Sequence, residues 1–74
     1  MKTTAIKRIL NDMDTTDIGA GLVTIEAAGR SYTYNPRKGE SGDEWAVSED
    51  NVLRLTNELG THWIDCDAVT IIEI

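Results

Sequence analysis

Ser48-Glu49-Asp50-Asn51-Val52-Leu53-Arg54-Leu55-Thr56-Asn57-Glu58-Leu59-Gly60 is the stretch whose reading decides the fold. Ser48 is a favoured N-cap, because its hydroxyl can accept from an unpaired N–H of a first helical turn. Glu49 and Asp50 follow, where negative charge offsets the helix dipole. Val52, Leu55 and Leu59, with Leu53 or Thr56 beside them, recur at helical spacing. Gly60 stands where a left-handed residue closes a helix. These signals predict a helix over Glu49–Leu59.

Towards the N-terminus, Ile6, Ile9, Leu10 and Met13 line one face of an amphipathic helix expected over Thr4–Met13, with Thr3 or Thr4 as its cap. Asp14-Thr15-Thr16-Asp17 ends it, since such side chains prefer local bonds to the backbone. Leu22–Ala27 is rich in β-branched residues and predicts a strand. Ala28-Gly29 makes a tight turn, and Arg30–Asn35 returns with Arg30, Tyr32 and Tyr34 on one face. Pro36 stops that strand, having no N–H to donate. Pro36–Asp43 reads as a loop. Glu44–Val47 reads as a short strand with Trp45 and Val47 inward.

Beyond Gly60, Thr61–Asp67 leads into a final strand, Ala68–Ile74. Val69, Ile71 and Glu73 take one face of it, and Thr70, Ile72 and Ile74 the other. Aliphatics on both faces mark an internal strand or a subunit contact. The expected fold class is α+β, in one domain over residues 1–74. It is a small antiparallel sheet of 3–4 strands with two helices packed on one face, in the order α-β-β-(β)-α-β.

The chain has 74 residues and a formal net charge of −6. A domain this small holds only about 3–5 kcal/mol of net stability in its core. Its charge is uneven: residues 1–38 carry a net +2, and residues 39–74 a net −8 with Arg54 as their one base. That balance argues against duplex-DNA binding, whose affinity comes from Lys and Arg on phosphates. No run approaches the ~20 apolar residues of a membrane span. Cys66 is the only cysteine, so no intrachain disulfide can form. A cytoplasmic protein is expected.

No residue pattern names a reaction. His62 and Cys66 are the one pair suited to nucleophilic catalysis, but Asp65 and Asp67 flank the thiol and oppose its ionisation. His62, Asp65, Cys66 and Asp67 offer one thiol and one imidazole, short of the paired soft ligands of structural zinc. Gly19-Ala20-Gly21 lacks the remaining glycine and helix of a dinucleotide cradle. No catalytic residue, cofactor or metal is expected, and the chain is read as non-enzymatic.

Two surfaces remain. One is acidic: Glu40, Asp43, Glu44, Glu49, Asp50, Glu58, Asp65 and Asp67, with Trp45 and Trp63 as aromatic anchors. Such a patch would be steered to a basic protein surface. The other is Arg30, Tyr32 and Tyr34 with Arg37 and Lys38, suited to stacking single-stranded bases. Its bland counterpart has both tyrosines lying over the core. In size, acidity, lone cysteine and lack of catalytic groups, the chain is similar in composition to phage-encoded counter-defence proteins such as anti-CRISPRs and DNA mimics. That similarity implies an inhibitor or modulator occupying the basic nucleic-acid-binding site of an enzyme. The alternatives are a nucleic-acid-binding or regulatory module, or a homodimer built through Ala68–Ile74.

Overall fold

The apolar spacing at the N-terminus does give a helix, α1 (Thr3–Thr15), in the computed structural model, which describes residues 1–15, 21–36 and 42–74. Ile6 and Leu10 are fully buried beneath it. The Thr3 hydroxyl donates to Asn51 Oδ1 at 2.7 Å, tying the helix start to a loop 48 residues away. Strands β1 (Val23–Ala27) and β2 (Arg30–Tyr34) form the expected hairpin, and β3 (Glu44–Val47) the short third strand. Ala28 and Gly29 both have positive φ, 52° and 77°. That is the backbone of a two-residue turn whose twist matches the flanking strands.

The decisive stretch is not a helix. Val52–Asn57 is strand β4, and Gly60–Asp65 is strand β5. Leu53, Leu55 and Asn57 are buried at every second position, with Arg54 exposed between the leucines. The period of two therefore prevails over the period of three to four. Leu59, placed in the core by a helical reading, is 80% exposed.

Each signal for a helix end belongs to a turn. Ser48 N–H donates to Val52 O at 2.9 Å and Asn51 N–H to Ser48 O at 3.2 Å, with Asn51 at φ 66°. This is a hairpin loop of Glu49, Asp50 and Asn51 ending in a left-handed residue, a conformation asparagine tolerates well. At the other end, Asn57 Oδ1 accepts from Leu59 N–H at 2.9 Å, a side-chain mimic of a turn. Gly60, at φ 118°, completes the reversal.

The chain is thus α+β: the described residues hold one helix and six strands, which form two antiparallel sheets, β2-β1-β6 and β3-β4-β5. This replaces the expected single sheet under two helices. A 3-10 turn (Cys66–Ala68) carries the chain from β5 to β6 (Val69–Glu73). Among the described residues β6 pairs with β1 alone, which makes it an edge strand, not an internal one.

One apolar cluster joins everything. It takes Ile6 and Leu10 from α1, Val23, Ile25 and Ala27 from β1, and Tyr34 from β2. Leu53 and Leu55 of β4, Ile64 of β5, Cys66 and Val69 complete it. Among the described residues, no helix is long and apolar enough to cross a membrane.

Candidate functional site

Strand alternation sends half of each strand away from the core. In the sheet β3-β4-β5 the register lines those residues up in rows. Ala46 lies opposite Arg54, which lies opposite Trp63. Glu44, Thr56 and Thr61 form the row on one side, and Val52 with Asp65 the row on the other. Trp63 is 70% exposed. It shares a shallow surface depression with Ala46, Asp50, Val52 and Arg54. Asp65 stands two residues along β5 from Trp63, about 7 Å away on the same face. Its Oδ1 also accepts from Asp67 N–H at 2.9 Å and caps the 3-10 turn.

This face gathers Glu44, Asp50, Trp63 and Asp65 from the acidic set. Glu49 is exposed beside Asp50 in the hairpin loop, and Asp67 is exposed in the 3-10 turn. Asp43 and Glu58 lie elsewhere: both line a second depression with Leu22, Thr33, Asn35 and Asn57. Asp43 Oδ2 accepts from Asn35 N–H there, at 2.8 Å. Asp50 thus lines the first depression, with Trp63, and Asp43 and Glu58 line the second. Arg54 is exposed within the first, directly opposite Trp63. Glu40, Arg37 and Lys38 lie outside the described residues.

Trp45 sits on the inner side of β3, half-buried, where its Nε1–H donates to Asp14 Oδ2 at 3.0 Å. Asp14 Oδ1 accepts from the Tyr34 hydroxyl at 2.5 Å. One carboxylate at the end of α1 thus fastens β2 and β3, a strand from each sheet. Burial pushes the Tyr34 hydroxyl well above its ordinary pKa, and the bond to Asp14 and that carboxylate's charge add to the rise.

The tyrosine face consequently splits. Tyr34 is fully buried and offers no ring for stacking. Tyr32 is half-buried, with Arg30 Cζ 6.0 Å from its ring centroid and the His62 ring edge-on at 5.2 Å. His62 Nε2 also lies 3.2 Å from Asn57 Oδ1, while Asn57 Nδ2 donates to Thr33 O at 2.9 Å. The imidazole is a link between β5 and β2.

Cys66 is fully buried, and burial raises its thiol pKa; the Thr3 hydroxyl works against that rise, and the Asp65 and Asp67 charges add to it. Both features disfavour a thiolate nucleophile. Among the described residues, no group of three or more His, Cys, Asp and Glu side chains is arranged to hold a metal.

Asp14 and His62 carry no sequence signal as structural links, because their partners come from distant parts of the chain. Trp63 outward was readable: Thr61, Trp63 and Asp65 alternate with His62, Ile64 and Cys66, the pattern of a half-buried strand. No protein-family model, curated protein or solved structure matches the chain.

Proposed function

We propose that this chain is a small, non-enzymatic protein-binding inhibitor or modulator that uses the outer face of β3-β4-β5. Trp63 is the apolar anchor, and Glu44, Asp50 and Asp65 are the acidic surround that selects a basic partner surface. The observation that carries this reading is the exposure of Trp63, 70%, in a strand row flanked by carboxylates. An indole left in water on a sheet face is costly unless it is covered, and interface hot spots favour tryptophan. The partner that fits best is a nucleic-acid-binding enzyme, whose basic groove would meet the acids. The compositional similarity to phage-encoded counter-defence proteins, of the anti-CRISPR or DNA-mimic type, points the same way. A cytoplasmic site of action suits a chain with one buried, unpaired cysteine.

The test begins with affinity capture from the native host and titration calorimetry on the partner recovered. Trp63→Ala should weaken binding by about 2 kcal/mol or more, roughly thirtyfold. Reversing Glu44, Asp50 and Asp65 to lysine should weaken it further and flatten its dependence on salt. All four side chains are solvent-exposed, so thermal unfolding should stay close to that of the parent chain except where Asp65→Lys removes the cap of the 3-10 turn, a loss of about 1 kcal/mol. Unchanged affinity in both variants would sink this assignment of the surface.

A further inference from the structure

The free edge of β6 is a second surface, made differently from the first. β6 ends the sheet β2-β1-β6, bonded to β1 on one side. Its beginning is closed. The Met1 ammonium donates to Val69 O at 3.0 Å and to Cys66 O at 2.8 Å. Thr70 is the extra residue where the register with β1 shifts, between Glu26↔Ile71 and Ala27↔Val69. From Ile71 onward the pairing is regular. Ile71 is 39% exposed and Ile74 64%, while Ile72 packs against the core. Glu73 is the only charge in the strand. Edge strands are normally protected by lysine, proline, an inward charge or a bulge. Here a bulge protects only the Val69–Thr70 end.

We infer that β6 pairs antiparallel with β6 of a second copy about a two-fold axis at Ile72, fusing two three-stranded sheets into one of six strands. The occupant follows from composition: Glu73 is the one charge beside the exposed Ile71 and Ile74. A nearly neutral aliphatic strand gives a basic partner nothing to attract, whereas an identical strand matches its chemistry. The register follows by elimination. A two-fold axis perpendicular to the sheet must pass through a residue paired with itself. Centring it on Ile71 would bring in Val69, whose carbonyl already accepts from Met1. Centring it on Glu73 would set that carboxylate against its own copy. Centring it on Ile72 sets Ile72 against Ile72 of the second copy, Ile71 against its Glu73, and Thr70 against its Ile74. Each copy carries a net −6, so long-range repulsion opposes this contact and salt relieves it. The salt dependence is opposite to that of a basic partner on the Trp63 face.

Sedimentation equilibrium over a concentration series, at about 0.1 M and about 1 M salt, tests the pairing; the Debye length falls from ~10 to ~3 Å between them. The mass should rise from 8.2 kDa towards twice that value, at lower protein concentration in the higher salt. At the lower salt, Ile71→Glu should restore the single-chain mass, because it puts two carboxylates opposite each other at both symmetric positions. Ile71→Lys should keep the doubled mass, because it places an ammonium opposite Glu73. Amide exchange at Ile71–Glu73 should slow as protein concentration rises. Trp63→Ala should leave the mass unchanged, which keeps this contact distinct from the proposed partner surface. A single-chain mass throughout, equal effects of Ile71→Glu and Ile71→Lys, or protection confined to β5 would each overturn the inference.

Discussion

Ala28 is the one non-glycine residue in a turn that demands two left-handed positions, with φ 52° beside Gly29 at 77°. An L-residue pays roughly 1–2 kcal/mol for that conformation, and asparagine less than alanine because its amide bonds locally. The side chain is exposed, so no packing opposes a change. Ala28→Asn should therefore raise the unfolding free energy by about 0.5–1 kcal/mol, read as a higher urea midpoint at constant m-value. A lowered midpoint would mean that the Ala28 N–H bond to Ala68 O, at 3.4 Å, depends on the alanine itself. Asn51 makes the parallel case. It takes its left-handed position with the residue type suited to it, and its side chain accepts from Thr3.

At the scale of elements, the hairpin β4-β5 shows why part of the fold was legible and part was not. α1, β1, β2 and β3 were readable because one period dominates each of them. Residues 48–60 carry both periods at once: Leu53 and Leu55 satisfy the strand, while Val52, Leu55 and Leu59 satisfy the helix. Serine, two acids and a following glycine serve a capped helix and a pair of hairpin turns equally well. Tertiary burial decided, because a strand puts both Leu53 and Leu55 into the shared core at 0% exposure. Leu59 separates the two structures experimentally. Leu59→Ser should change stability by no more than about 0.5 kcal/mol, as an exposed turn position does. A core leucine truncated on a helix would cost about 2–5 kcal/mol. Gly60→Ala should be the more damaging change, since φ 118° strains any side chain placed there. Equilibrium urea unfolding of the two variants ranks them, and a costly Leu59→Ser with a harmless Gly60→Ala would contradict the hairpin.

For the whole molecule, acids of the second half line two depressions, Asp50 in one and Asp43 and Glu58 in the other, and Arg54 stands in the first with Trp63. The individual acids were legible, but their division was not, because it depends on the hairpin register that sets Arg54 against Trp63. The link that holds the molecule together was hidden for the same reason. Asp14 closes α1 onto both sheets through Tyr34 and Trp45, residues 20 and 31 positions away. Its energetic signature is alkaline. The Tyr34 hydroxyl is raised above the ordinary 10.0, first by burial and then by Asp14. Below pH about 10 both folded and unfolded chains keep that proton, so the contribution is fully present. Above it the unfolded chain ionises first, and stability is lost as pH rises towards the folded value. Cys66, raised from 9.0 chiefly by burial, has the same sign. Tyr34→Phe should cost about 1.5–3 kcal/mol near neutral pH, the range for a hydrogen bond to a charged group. Its gap from the parent chain should then narrow as the pH climbs past 10.0, while Cys66→Ala removes only the part that begins near 9.0. Chemical denaturation across that range reads both effects. A Tyr34→Phe deficit that stays constant to the highest pH would mean that Tyr34 ionises alike in the folded and unfolded chain, and would overturn this account.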